Sequence, residues 1–348
     1  MKKLKTFSLI VLLIVFSCKE SGKADYLPES VGAVNTLTVV IDNELWKGEV
    51  GDKIREHFAA PALGLTWDEA QFSITQIPPQ IFSGAIRNTR SVLYVMEDSL
   101  NIAHMKSNMY AKPQKVGIVK GRNKAEIIEN LDKKAPQFVA RYRENELKQA
   151  QKRFLRSLNK EKAMEDEFGI TMDIPSIYKV GRQADNFVWM DRQIQKGTMN
   201  IIAYTVPWDS FKNDTTFVQD IVQMRDSIGK LFIPGEDIPG KENHMITEKA
   251  FSPYVFPAEV SQRKAAEARG IWEMSAYPMA GPFLTYIIND KPNNRKLILE
   301  GFTFAPATEK RDYMFELEAI LKTGRFNTPE GRRENETGPD ISRAFLVL

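Results

Sequence analysis

Arg141-Tyr-Arg-Glu-Asn-Glu-Leu-Lys-Gln-Ala-Gln-Lys-Arg153 lies at the centre of a stretch that runs from Pro136 to Phe168 with no further proline and no glycine. Charged and polar side chains fall on nearly every face of this run, and Gly169 stands where a helix-terminating glycine would. A helix that is polar all round bridges parts of a structure or lies in solvent. At 1.5 Å per residue it would reach roughly 50 Å. The spacing therefore predicts a long connecting helix over 136–169, with one lobe before it (35–135) and another after it (170–324).

The first lobe opens with a β-branched run, Thr36 to Ile41, suited to a buried strand. Asp42 or Asn43 can cap a helix whose apolar positions are Trp46, Val50, Ile54 and Phe58. Strands are expected at 71–77, 90–97 and 115–120, the last leading into a helix through Gly121 and Asn123. In the second lobe, strands at 177–182 and 186–191 precede Met199 to Val206, which runs into Trp208. Asn213 or Asp214 then caps a helix bearing Phe217, Ile221, Met224 and Ile228. Strands at 253–260 and 267–274 follow, and a hairpin joins 283–289 to 296–304 through Asp290 to Asn294. A last helix starts at Thr308 and closes at Gly324.

The fold class these patterns give is α+β: two lobes of mainly antiparallel sheet with packed helices. Both lobes share a strand–Trp–helix opening and a strand–strand–helix ending, as an internal duplication would produce; ordinary α+β alternation would produce the same order. The polar segment 325–348 reads as a tail, whose last residues, Ala344 to Leu348, suit one edge strand.

The N-terminus carries a separate message. Lys2, Lys3 and Lys5 precede an apolar run from Phe7 to Phe16, and Val15-Phe16-Ser17-Cys18 has the apolar-x-small-Cys order of a lipobox. That run is too short for a spanning helix, which needs roughly 20 residues, but it suits a secretory signal. The expectation is a signal peptide over 1–17, acylation of Cys18 (palmitate among the chains), and a polar tether over 18–34. Cys18 is the only cysteine, so its acylation leaves no thiol for a disulfide, a zinc-thiolate site or a cysteine nucleophile. A protein so processed sits on a membrane of the cell envelope. Lys19 gives no aspartate-type retention signal and the following stretch is not strongly acidic, which favours the periplasmic side of the outer membrane.

Several chemistries find no support. The net charge of +3 and the lack of a basic stripe with aromatics argue against nucleic acid. The three histidines, His57, His104 and His244, form no metal-binding motif, and the Gly-x-Ser-x-Gly of a nucleophile elbow is absent. Gly235-Glu-Asp-Ile-Pro-Gly240-Lys241 matches part of a phosphate loop, but Glu242 replaces the hydroxyl residue, Glu236 and Asp237 repel phosphate, and Pro239 lacks a donor. No nucleotide, cofactor or metal is expected.

The candidate site lies between Arg269 and Arg311. Strand alternation puts Arg269 and Glu273 on one face of their strand and Glu300 on an apolar face with Ile298 and Phe302. A carboxylate there must be paired or protonated. Lys310 and Arg311 fall in the first turn of the last helix, the unfavourable end for cations, so an anion, either Glu300 or a bound ligand, is expected beside them. These five residues read either as a buried ion-pair system or as a ligand site. Of the tryptophans, Trp46, Trp208 and Trp272 suit the core, and Trp67 and Trp189 suit exposed contacts.

Short motifs distributed along the chain carry a family resemblance. They are Trp46-Lys-Gly-Glu-Val-Gly51, Arg87-Asn88, Ile233-Pro-Gly235, Arg269-Gly-Ile-Trp-Glu273, Met279-Ala-Gly-Pro-Phe283, Glu300-Gly-Phe302, and Pro306 through Lys310-Arg311 to Ile320. Over about 32–324 the chain resembles the Bacteroidetes lipoproteins grouped as domain of unknown function 4837. Ala280 departs from the Gly-Gly-Pro-Phe of that family. The resemblance implies an envelope lipoprotein and brings no catalytic residues. The reading that follows is a lipid-anchored binding or assembly factor with a protein or glycan partner. The alternative is a hydrolase of glycan or peptide working through Glu300 with Arg269 and Arg311.

Overall fold

The computed structural model describes residues 26–212 and 215–327. The signal segment, Cys18, the start of the tether, the Asn213/Asp214 cap and the tail from residue 328 lie outside the described residues.

The N-terminal lobe contains β1 (Thr36–Val40), α1 (Asn43–Lys47), α2 (Glu49–Phe58), β2 (Ser73–Ile77), β3 (Ser91–Glu97), β4 (Ile102–Ser107), β5 (Lys115–Gly121) and α3 (Lys124–Phe154). Its five strands are ordered β2-β1-β3-β5-β4. The pairs β1–β2, β1–β3 and β3–β5 are parallel, and only β4 runs antiparallel, on β5. Leu37, Val39, Leu93 and Val95 point to α2 and α3, where Ile54, Phe58, Ile127, Leu131 and Phe138 complete the core. The opposite face, with Val40, Val92 and Val116, is covered by Phe82 and its neighbours rather than by a helix. Strands buried on both faces read as continuous apolar runs, which is what Thr36 to Ile41 shows.

The long helix differs from expectation in its bounds. It starts at Lys124, where the Asn123 side chain accepts the Glu126 N–H at 3.0 Å, and it stops at Phe154. Pro136 lies inside it on the exposed side, where water can take the carbonyl its missing N–H leaves free. Nor is the helix an exposed strut. Its first half packs on the parallel sheet, while Ala150 and Phe154 enter the core of the second lobe. Beyond Phe154 the chain pairs instead with 174–176: Leu158 bridges Pro175, and Ser176 donates its N–H to Ser157 O. Gly169 does end a helix, at φ 69°, but that helix is the short α4 (Ala163–Phe168).

The C-terminal lobe continues with β6 (Ile170–Thr171), β7 (Lys179–Ala184), β8 (Phe187–Ile194), β9 (Gly197–Pro207), α5 (Phe217–Phe232), β10 (Met245–Thr247), β11 (Tyr254–Val260), β12 (Arg263–Met274), β13 (Ala280–Asp290), β14 (Arg295–Phe304), α6 (Arg311–Leu321) and β15 (Arg325–Phe326). Eight strands form one curled sheet in the order β10-β12-β13-β14-β9-β8-β7, with β11 also on β12. Every pairing in it is antiparallel. Successive residues alternate between two cores. Leu284, Tyr286, Leu297, Leu299 and Ile201 face α6, α4 and the end of α3. Phe283, Ile287, Ile298, Phe302 and Tyr204 face α5.

The protein is thus α+β, with antiparallel sheet in the majority. The two lobes are not copies of one another. In the first half a crossover through α1 and α2 brings β2 parallel to β1, and longer connections bring β3 and β5 parallel to their neighbours, whereas tight turns in the second half reverse the chain. Asn186 and Asn294, in the left-handed region at φ 55° and 51°, make two of those turns.

Candidate functional site

Glu300, at the centre of β14, is 1% exposed. Its carboxylate accepts two hydrogen bonds from Arg225 of α5, at 2.8 and 2.7 Å, and a third from the Thr285 hydroxyl at 2.6 Å. Arg225 also donates to Thr247 Oγ1 at 2.6 Å and lies over the Phe283 ring, 3.3 Å from its centroid. The pair is sealed: Arg225, Thr285, Thr247 and Phe283 are all buried. Such a carboxylate holds α5 in register on the sheet, out of contact with solvent. The sequence reading missed Arg225, although a signal existed. It falls on the apolar stripe of Ile221, Met224 and Ile228, where a charge demands a partner.

Arg269 does not meet Glu300, because the two project from opposite faces of the sheet. Arg269 donates to Glu267 at 2.6 Å and to Glu318 of α6 at 2.8 Å. Glu318, 3% exposed, also accepts from Arg143 of α3 at 2.7 Å and lies 3.4 Å from Lys322. Tyr286 donates its hydroxyl to Glu267 at 2.8 Å. Burial drives the Glu318 carboxyl upward, but Arg269, Arg143 and Lys322 outweigh it and hold it well below the usual carboxylate range. Glu273 lies further along β12, half-buried and in register with Ile246 and Ala280.

The anion expected beside Lys310 and Arg311 is Glu69, from the other lobe. Its buried carboxylate accepts the backbone N–H of Lys310 at 2.7 and 2.9 Å and that of Arg311 at 2.7 Å. This is an N-terminal helix cap supplied from a distant segment. The Lys310 ammonium donates to Thr308 O at 2.8 Å and lies 3.9 Å from the centroid of Trp67. Arg311 donates to Ala70 O at 2.8 Å and Ser73 Oγ at 3.0 Å. Asn35 to Asp312 (3.0 Å) and Gln151 to Ala319 O (3.1 Å) complete the junction. Glu69 sits in a polar loop with no periodicity, so nothing in the sequence marks it.

Four of the five candidates therefore separate into three places satisfied by partners from the chain itself, and Glu273 joins none of them. Glu300 is enclosed with Arg225 rather than placed at the base of a cleft, so the arrangement for hydrolysis is absent there. Trp272 is core and Trp67 half-exposed, as expected, while Trp189 is half-buried and bonds Asn200 at 3.1 Å. Among the described residues no group of His, Cys, Asp or Glu is placed to hold a metal ion. Among them, too, no helix is long and apolar enough to cross a membrane.

An open site lies elsewhere. At the carboxyl ends of β1 and β3 a cavity of about 380 Å³ is lined by Asp42, Glu44, Leu45, Pro79, Val95, Met96, Glu97 and Lys124. Sequence reasoning used Asp42 only as a cap, a role it does have: it accepts the Glu44 N–H at 2.9 Å. The cavity depends on the parallel pairing, which the sequence did not reveal.

Comparison with known proteins divides the chain at the same place as the fold. Residues 157–323 match a domain of unknown function, DUF4837, and residues 30–155 match a second, DUF8532. No curated protein matches the chain. Among solved structures, human StAR-related lipid transfer protein 5 aligns at 12% identity, over 50% of this chain and 96% of that one, with a TM-score of 0.22. That score is too low to carry an argument about fold. The resemblance expected over 32–324 is met by its C-terminal part, while the motifs at Trp46–Gly51 and Arg87-Asn88 fall in the DUF8532 segment. The chain thus joins a DUF8532 match, comprising the parallel lobe and its long helix, to a DUF4837 match in the antiparallel lobe.

Proposed function

We propose that this is a lipid-anchored, non-catalytic binding protein of the cell envelope, held through Cys18 on the periplasmic side of the outer membrane. Its partner is a protein that covers the outer edge of the C-terminal sheet. One observation carries the binding reading: Phe251, three residues before β11, and Tyr254 and Phe256 within it are 72%, 49% and 36% exposed, and β11 pairs with β12 alone. The other lobe approaches this strand pair at Gly64, which packs on Arg269, the register partner of Tyr254, and the adjacent Leu63 is also exposed. Clustered exposed aromatics favour protein contact over solvent. Pro257 removes one donor from the strand, which discourages simple strand addition. The partner therefore engages side chains.

Anchoring is tested by labelling cells with an alkyne-bearing palmitate analogue. Wild-type protein takes up label and sediments with membranes, and Cys18→Ser does neither. A Cys18→Ser protein that still sediments after salt washing would end the lipoprotein reading. Binding is tested with a photo-crosslinking residue at position 251 in the native envelope. One defined protein adduct is expected, lost on Tyr254→Ser/Phe256→Ser and absent from position 133 on α3. Adducts unaffected by the double substitution, or cleavage of envelope glycan or peptide by the purified protein, would reverse the proposal.

A further inference from the structure

In the N-terminal sheet, neighbouring strands β1 and β3 send the chain in opposite directions. From β1 it passes through α1 and α2 to β2 on one side; from β3 it turns into β4, beyond β5, on the other. Where outgoing connections diverge at the carboxyl ends of parallel strands, a crevice opens that cannot be filled by either connection. The cavity of about 380 Å³ occupies that position, a volume within the range of small-molecule sites, roughly 300–1,000 Å³.

We propose that this crevice binds a small organic amine with a short hydrocarbon body. Leu45, Pro79 and Met96 supply apolar wall, suited to the hydrocarbon. Asp42, Glu44 and Glu97 contribute three carboxylates against the single ammonium of Lys124, leaving two negative charges in excess. Lys47, three residues after Glu44, is exposed and does not line the cavity, and two further cations near the rim are engaged elsewhere. Lys120 is committed to Asp98 at 2.7 Å and Arg122 to Glu126 at 2.6 Å, whereas Glu44 and Glu97 make no ion pair among the described residues. The carboxylates are also not grouped to hold a metal ion. Calcium and magnesium need several oxygens converging within about 2.0–2.6 Å of one point. A ligand that satisfies spread-out carboxylates above an apolar floor is an alkylammonium.

The test is a ¹H–¹⁵N titration of the soluble protein, lacking residues 1–18, with n-pentylamine, n-pentanol and pentanoate at low salt. Pentylamine is expected to shift the amides of Leu45, Met96 and Glu97 saturably, with pentanol weaker and pentanoate inert. Glu97→Gln and Glu44→Gln should each weaken pentylamine roughly two- to fivefold, the range for solvent-accessible ion pairs. Met96→Trp, at a half-buried lining position, should fill the cavity and abolish the shifts while the remaining amides keep their positions. Equal response to all three probes, shifts scattered over every acidic surface, or indifference to Glu97→Gln and Met96→Trp would each overturn the assignment. The crosslink from position 251 serves as an independent readout. It is expected to survive Met96→Trp, so this site and the partner surface stand or fall separately.

Discussion

Both lobes bury an ion pair between sheet and helix, Arg90–Glu146 at 2.7 Å in the first and Arg225–Glu300 in the second, but the N-terminal lobe also sets a neutral hydroxyl between its parallel strands. Tyr142 of α3 reaches between β3 and β5, donating to Val92 O at 2.6 Å and accepting the Gly117 N–H at 3.0 Å. Gly117 makes room for it: a Cβ there would lie 2.6 Å from the hydroxyl. Burial pushes that phenol well above its ordinary pKa, so it stays a neutral donor. In the other lobe Arg225 and Glu300 do comparable work with full charges. What does differ is the architecture around these groups. A parallel sheet with helices on one face is held by crossovers, and its strand ends open a crevice to solvent. The curled antiparallel sheet is covered on both faces and must fix the helices that cover it.

The largest expected effect tests the charged half of this comparison. Removing one member of a buried pair strands the other, at about 3–5 kcal/mol. Arg225→Met should lower stability by about that amount in urea unfolding. Arg225→Met/Glu300→Leu should recover most of the loss, because two apolar groups leave nothing unpaired. A double variant as unstable as the sum of its parts would mean that the pair does more than locate α5.

Glu318 joins the two lobes, and its effect is expected to depend on pH. Its folded pKa lies below the unfolded value of about 4.3. Above about pH 5 the carboxylate is charged in both states and its contribution is complete. As the pH falls through the unfolded value, the unfolded chain takes up the proton first, and that contribution declines until the folded group protonates. Glu318→Gln should therefore be destabilising at pH 7, by about 1.5–3 kcal/mol, and the gap to wild type should narrow steadily on acidification toward pH 3. A constant gap would show that the side chain acts through shape rather than charge.

On the neutral side, Tyr142→Phe leaves the Gly117 N–H and Val92 O without a partner and should lose about 1–3 kcal/mol. Hydrogen exchange should speed up at Gly117 while β9 and β14 are unchanged. If protection instead falls in both sheets together, the lobes unfold as one unit and the contrast between them is confined to packing.

How much of this was legible in the sequence depended on distance along the chain. Periodicity located α2 through Val50, Ile54 and Phe58, and α6 through Met314, Leu317 and Ile320. The β13–β14 hairpin was visible in the turn residues Asp290 to Asn294. Pairing direction was not, because a β-branched run such as Thr36 to Ile41 is compatible with a buried strand of either sense. β4, Ile-Ala-His-Met-Lys-Ser, is half-polar and lacks a strand signal. Pro136 marks a helix boundary by local rules, yet the exposed side of α3 tolerates it. Among the candidate charges, the sequence identified groups that needed partners but not the partners. Arg225, Glu318 and Glu69 come from segments 75, 49 and 241 residues away from Glu300, Arg269 and Lys310, and no local pattern encodes such separations.

The smallest effect concerns Glu69, which links the lobes through backbone N–H groups alone. Capping carboxylates at helix N-termini contribute about 0.5–2 kcal/mol. Glu69→Gln keeps an acceptor oxygen but removes the charge, so it should lose less than Glu69→Ala, which uncovers the Lys310 and Arg311 amides. Hydrogen exchange at those two amides should quicken in the alanine variant far more than overall stability falls. Arg311 still holds Ala70 O and Ser73 Oγ, and Arg143 still holds Glu318, so the junction should stay closed. If Glu69→Ala instead uncouples the two unfolding transitions, one buried carboxylate governs the mutual orientation of the lobes, and the ionic cluster at Glu318 follows from it.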